Sequence, residues 1–247
     1  MKAILSPAKK LNFEDTSTIK MTKPALLKKT DILVNVMKQK SVADIKKLMK
    51  LSEDLSLLNF SRYQEYEKSQ KGPAAFAFAG DTYQGLDFRS LSKEDQEYAK
   101  GKVFILSGLY GVLNVFDEIR PYRLEMGTGL KFDGNKNLYD FWENDIAKTL
   151  NKYNVDNEPL INLSSEEYFK SVKRDAVQGP IIDVKFLENK NGEYKIIGIM
   201  AKRARGMMAR YIVTNKVMTI DELKDFNIAN YEFDKKLSSD KLLVFKR

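Results

Sequence analysis

The order of hydrophobic patterns along this 247-residue chain predicts an α/β fold shading into α+β, with a mixed sheet flanked by helices. Three observations predict it. Short, largely apolar runs at Ala3 to Leu5, Val103 to Leu106 and Pro159 to Leu163 each break at a serine (Ser6, Ser107, Ser164), as buried strands do. Amphipathic stretches of helical period lie between them. One alternating run, Ile181 to Leu187, turns through Asn189 to Gly192 and returns over Glu193 to Ala201 as a hairpin. With no internal repeat, low-complexity tract or Pro/Gly/Ser linker, residues 1–247 read as a single compact domain. A helical insert occupies about 24–69.

Within that insert, Leu27, Ile32, Val36 and Met37 form the stripe of a first helix over Pro24 to Lys40. Ser41 with Asp44 caps a second helix, Val42 to Lys50, that buries Ile45, Leu48 and Met49. Ser52, followed by two acids, starts a third through Leu55, Leu58 and Tyr63. Pro73 to Ala79 reads as a strand ending in the turn Gly80 to Gly85. Ser92 to Lys100 is a polar helix, and Leu138 to Tyr153 an amphipathic one carrying Trp142. A helix over Lys202 to Lys216 and a strand over Leu242 to Phe245 complete the chain.

The sequence contains no cysteine and no histidine. That excludes thiolate catalysis, disulfides, thiolate zinc and iron–sulfur sites, His- or Cys-ligated haem and the Ser-His-Asp triad. Acid–base chemistry would fall to Asp, Glu, Lys or Tyr. The acidic spacing shows no EF-hand loop, so neither a metal nor another cofactor is expected. No apolar run approaches the ~20 residues of a membrane span, and the first apolar patch is too short for a signal peptide. The expectation is a cytoplasmic protein without a membrane partner. Its net charge of +8, from 42 Lys+Arg against 34 Asp+Glu, suits an anionic partner but serves solubility equally well.

The placement of the charge says more. Lys202, Arg203, Arg205 and Arg210 fall within one arc of roughly 160° on their helix, with no acid among them. Solvated faces normally mix signs, so this stripe points to anion binding. Lys170 and Lys173 sit three apart after Ser164-Ser165, and Lys9 and Lys10 follow Ser6-Pro7. Arg120 and Arg123 flank Pro121-Tyr122; their planar guanidiniums suit phosphate or carboxylate. A strand ending in Ser107-Gly108 would aim a hydroxyl and free backbone N–H groups at a ligand crevice. If the serine-ended strands are parallel, their carboxyl ends form one rim. Lys9, Arg120, Arg123, Lys170 and the basic helix would then border a single positive groove floored by Asp81 and Glu125. Asp81 has an equally ordinary role as a turn residue bonding its own backbone. The helices around Lys50-Leu51-Ser52 resemble a helix-hairpin-helix over about 42–66, although its usual glycines are missing and Glu53-Asp54 would repel phosphate. An ordinary αα-hairpin is the alternative.

These segments together resemble the YaaA peroxide-stress family nearly end to end. The resemblance rests on Ser6–Lys9, Gly80–Leu86, Leu106–Leu113, Pro121–Met126, Leu138–Trp142, Asn162–Lys173, the helix through Lys202 to Tyr211 and the closing Leu243–Arg247. Where family members often carry Arg-Pro-Leu-Asp after the Leu106–Leu113 motif, this chain has Asn114-Val115-Phe116-Asp117, one potential phosphate contact fewer. The resemblance implies protection against hydrogen peroxide, lower free intracellular iron, DNA binding and a mixed α/β fold with a basic cleft and a helix-hairpin-helix. Two functions are therefore expected. One is non-catalytic, largely sequence-independent binding of double-stranded or structured DNA, with a small anionic ligand also accommodated in the cleft. The other is an enzyme acting on a nucleobase or nucleotide, with Asp81, Tyr83 and Glu125 as its acid–base groups and Arg123 as an anion clamp.

Overall fold

The computed structural model describes residues 1–14, 16 and 19–247. The first apolar run is β1 (Lys2–Leu5), buried at every position, followed by the two-residue β2 (Lys10–Leu11). The insert supplies α1 (Leu27–Lys38), α2 (Val42–Met49) and α3 (Glu53–Gln64). Next come β3 (Gly72–Pro73), the single turn α4 (Ala74–Ala77), β4 (Phe78–Ala79), α5 (Asp81–Leu86) and α6 (Lys93–Ala99). The central run gives β5 (Val103–Ser107), β6 (Gly111–Asn114) and β7 (Glu118–Ile119). After these lie α7 (Leu138–Trp142), α8 (Asp145–Tyr153), β8 (Leu160–Leu163) and α9 (Glu166–Phe169). The last stretch holds β9 (Ile181–Lys190), β10 (Glu193–Lys195), α10 (Gly198–Thr214), α11 (Ile220–Lys224), β11 (Glu232–Phe233) and β12 (Leu242–Lys246).

The main sheet runs β11-β12-β9-β8-β1-β5-β6, with β10 paired to β9. The five strands from β12 to β5 are mutually parallel, while β6, β10 and β11 run antiparallel at the margins. From β1 the chain reaches β5 on one side, then returns to β8 on the other. A parallel sheet that changes direction in this way leaves a crevice beyond the carboxyl ends of its strands.

Both ends of the strands at that crevice are fastened. At the amino ends, Glu158 accepts from Lys2 Nζ at 2.6 Å and Lys102 Nζ at 2.7 Å, tying β1, β5 and β8 together. Burial alone would raise the Glu158 pKa, but its hydrogen bonds to Lys102 and Lys2 outweigh that and hold it well below the usual carboxylate range. At the carboxyl ends, Ser165 N donates to Ser6 Oγ at 2.8 Å.

Two glycine contacts bring separate segments together over the rim. Helices α5 and α10 cross at Gly85 and Gly206. A Cβ on Gly206 would lie 1.8 Å from the Thr82 carbonyl oxygen, and one on Gly85 2.1 Å from that of Arg203. No side chain fits in either place. Likewise a Cβ on Gly108 would lie 2.2 Å from the Leu124 carbonyl oxygen, so the backbone before Glu125 packs directly on the end of β5.

Several elements differ from expectation, for local reasons. Pro73 to Ala79 is interrupted by α4, and Gly80 to Gly85 opens α5 instead of forming a turn. The stretch from Leu138 to Tyr153 breaks where Glu143 adopts φ 41°. The hairpin return is only Glu193–Lys195, because Gly198 to Ala201 already belong to α10. In the insert, α1 buries Thr30, Leu33, Val34 and Met37, leaving Ile32 exposed. Helix α3 turns Ser56, Asn59 and Tyr63 inward and leaves Leu55 and Leu58 exposed. Polar burial is tolerated there because Ser56 Oγ and Asn59 Nδ2 each donate, at 2.7 Å, to a carbonyl one helical turn back. The Ser41–Asp44 capping box forms as expected, and Lys50 makes the αα turn in the left-handed region at φ 53°.

Gly206→Ala should therefore cost about 3 kcal/mol or more in chemical unfolding, since backbone must move to admit the methyl. Gly198→Ala in the first turn of the same helix meets nothing within 4 Å. It should be neutral or stabilise by up to about 1 kcal/mol. Equal effects of the two would contradict the crossing. Because the Glu158 pKa is lowered on folding, its contribution is complete above its ordinary value of 4.5 and disappears as pH falls below it. Glu158→Gln should cost about 2 kcal/mol at pH 7 and flatten the acid limb of the stability–pH curve. An unchanged acid limb would refute the role given to this carboxylate.

Candidate functional site

A cavity of 450 Å³ opens at the carboxyl ends of β1 and β8. Ser6, Lys9 and Lys10 line it from the segment after β1, and Ser165, Glu167 and Tyr168 from the segment after β8. Asp81 and Thr82, at the start of α5, and Lys202 and Arg205 of α10 line it as well. Tyr122, Arg123, Leu124 and Glu125 close the remaining side. The Gly85–Gly206 crossing sets the separation of the α5 and α10 walls. The Gly108–Leu124 contact places the third.

The charges in this cleft are not equivalent. Arg123 donates to Glu125 Oε1 from Nε at 3.1 Å and from Nη2 at 2.9 Å, and Lys9 Nζ lies 3.4 Å from the same oxygen. The helical insert steadies this arm through Tyr63, whose hydroxyl donates to the Arg123 carbonyl at 2.9 Å. Arg205 differs. It has no hydrogen-bond or ion-pair partner among the described residues, and its Nε is buried without one. Burial holds its guanidinium below the ordinary arginine pKa. Asp81, which lines the same cavity, also has no hydrogen bond or ion pair among the described residues. A second cavity of 720 Å³ lies between α2 and the loop through Gly127–Lys131, lined by Lys40, Lys47, Lys50 and Lys131. Glu125 and Glu167 line both cavities and so form a shared acidic boundary. The backbone N–H of Gly127 donates to Glu167 Oε1 at 2.9 Å.

Lys9, Lys10, Arg123, Lys202, Arg205, Asp81 and Glu125 thus meet at one opening, but the single groove expected from the sequence is smaller than its candidates. Arg120 is spent elsewhere: its Nη1 donates to the carbonyls of Tyr66, Glu67 and Ser69 at 2.8–3.2 Å. Arg210 donates to the carbonyls of Leu86 and Asp87 at 3.1 and 2.8 Å, capping α5. Arg203 is exposed on α10 outside the cavity lining. Helix α9 ends at Phe169, so Lys170 and Lys173 share no helical face; Lys170 stacks on Tyr139 at 5.2 Å from the ring centroid. Tyr83 is buried, and its hydroxyl donates to the Ser6 carbonyl at 3.0 Å. Burial pushes that phenol's pKa far up, so it stays protonated, and Tyr83 is not among the residues lining the cavity. Ser107 is buried too, and its hydroxyl accepts from the N–H groups of Leu109 and Tyr110 instead of facing a ligand. Of the three acid–base candidates, Asp81 and Glu125 line the cavity; Glu125 Oε1 is taken by Arg123 and Lys9, whereas Asp81 has no hydrogen bond or ion pair among the described residues. Ser6, Ser165 and Glu167 join the lining although their motifs had singled out other residues.

The family model described as peroxide stress protein YaaA matches residues 1–237. The chain belongs to this family. A UPF0246 protein of Marinomonas sp. (strain MWYL1) is 45% identical over 100% of this chain and 97% of its own length. A UPF0246 protein of Legionella pneumophila (strain Corby) is 45% identical over 100% and 99%, and one of Psychrobacter arcticus 42% identical over 99% and 97%. A family defined by peroxide stress is thus built here on a chain without thiol or imidazole. Among the described residues, no helix is long and apolar enough to cross a membrane, and no acidic cluster is arranged to hold a metal ion.

An unpaired, half-buried guanidinium is a stability cost. Arg205→Met should raise stability by about 1 kcal/mol in the absence of ligand. Inorganic phosphate should raise the Tm of the unaltered protein but not that of the variant. A Met variant less stable than the parent would show that Arg205 serves the fold.

Proposed function

We propose that the protein binds DNA through backbone phosphates, largely without regard to sequence, as part of the peroxide-stress response of its family. One observation carries this reading: Lys9, Lys10, Arg123, Lys202 and Arg205 line a single opening, and Arg205 has no protein partner among the described residues. Backbone phosphates are the common anion that such a concentrated set of donors recognises without reading bases. The lysines of the α2–α3 hairpin, Lys47 and Lys50, extend the positive surface beyond Glu125 and Glu167. In this reading the helix-hairpin-helix-like insert contributes lysine side chains, since Glu53 and Asp54 occupy the first turn of α3.

Protection then consists of covering DNA against iron-driven oxidation. Peroxide turnover has no thiol or imidazole to use, and nine methionines would be oxidised without regeneration by this chain. The lower free iron implied by the family resemblance is assigned to the wider response and not to storage by this chain. The site of action is the cytosol.

Neutralising ~4 phosphates predicts a log–log salt slope of about −4 for duplex binding. Lys10→Glu with Lys202→Glu should weaken that binding by more than tenfold and bring the slope toward −2. Fluorescence anisotropy across a salt series measures both. A slope near zero, or binding indifferent to the double reversal, overturns the proposal.

A further inference from the structure

The same cleft carries a feature that backbone binding does not need. Asp81 and Arg205 are opposite charges lining one cavity, yet neither has a partner among the described residues and they do not pair with each other. Asp81 opens α5 and Arg205 precedes Gly206 on α10, so the backbone contact at Gly85 and Gly206 fixes the two helices that carry them. A guanidinium and a carboxylate left without protein partners in one cavity suit a ligand that is anionic at one end and a hydrogen-bond donor at the other.

Two further properties narrow the ligand. The 450 Å³ volume falls within the ~300–1,000 Å³ range of small-ligand pockets; a duplex can meet only the exposed cations of the cleft, Lys9, Lys10 and Lys202, while a single nucleotide can enter it. The same cavity is lined by Pro7, Leu124, Leu163, Tyr122 and Tyr168, apolar and aromatic groups of the kind that accept the face of a planar ring. We infer that the cleft holds one nucleotide, its phosphate on Arg205 and Lys202 and the amino edge of its base on Asp81. The inference rests on the reading of this cleft as a phosphate site and adds a base to it. A carboxylate accepts from the exocyclic amine of cytosine, whereas the corresponding position of thymine is a carbonyl oxygen that a carboxylate repels. The nucleotide comes either free from solution or from an unpaired stretch of strand.

Titration calorimetry of the full chain with dCMP, dTMP and inorganic phosphate tests this. dCMP should bind about tenfold or more tighter than dTMP, the discrimination of one good side-chain–base contact, and phosphate alone more weakly than dCMP. Asp81→Asn and Asp81→Ala should erase the dCMP preference, and Arg205→Met should weaken both nucleotides. Equal binding of dCMP and dTMP, phosphate binding as tightly as dCMP, or a preference surviving in both Asp81 variants overturns the inference. Short single strands of oligo-dC and oligo-dT separate the sources: a C-over-T preference lost with Asp81 identifies strand nucleotides, and its restriction to mononucleotides identifies free ones. Duplex DNA titrated in parallel separates the two readings. Salt-dependent duplex binding without any mononucleotide binding removes the nucleotide site and leaves the DNA reading standing. Mononucleotide binding with no duplex binding does the reverse.

Discussion

The contact on which the cleft depends is between two backbones. Where α5 meets α10, Gly85 and Gly206 let carbonyl and amide groups approach closer than any side chain permits. Everything chemically distinctive about the site is attached to that crossing. Asp81 lies one helical turn before Gly85, Arg205 immediately before Gly206, and Arg210 seals the end of α5 by donating to Leu86 and Asp87. The two opposite charges carried by these helices line one cavity and form no ion pair with each other. Two such groups without protein partners among the described residues are a stability cost that the fold carries there.

The sheet performs the complementary task. Its parallel strands bring the segments after β1 and β8 to one rim, and Glu158 with Lys2 and Lys102 secures the opposite end. At the rim, charge count and available charge diverge. Arg123 and Lys9 already share Glu125, while Arg205, Lys202 and Lys10 have no acidic partner among the described residues. The charge left available at the rim therefore lies in these three cations and is not given by the net charge of +8.

Much of this was legible in the sequence. Apolar runs ending in Ser6 and Ser164 located the strands, because a parallel strand covered on both faces has no polar alternation to hide it. Their common rim followed from that, and with it Lys9, Arg123, Arg205 and Asp81. Other parts left no mark that a residue type could carry. Arg120 and Arg210 look like binding arginines, but are occupied by backbone carbonyls, which every residue possesses. Tyr83 looks like an acid–base group until its hydroxyl is found on the Ser6 carbonyl. The inward turn of Ser56 and Asn59 in α3 defeats a hydrophobic stripe, since each satisfies itself on its own helix. Gly85 reads as a turn residue and Gly206 carries no reading of its own; their value appears only when the two helices are seen to cross.

Locating a bound phosphate-shaped anion tests the central claim most directly. Crystals soaked in tungstate would reveal it by anomalous scattering at the metal edge. The account predicts the strongest peak inside the cleft, within hydrogen-bonding distance of Arg205 and adjacent to Lys202. Peaks confined to the exposed lysines of the helical insert, with the space between Asp81 and Arg205 empty, would contradict it.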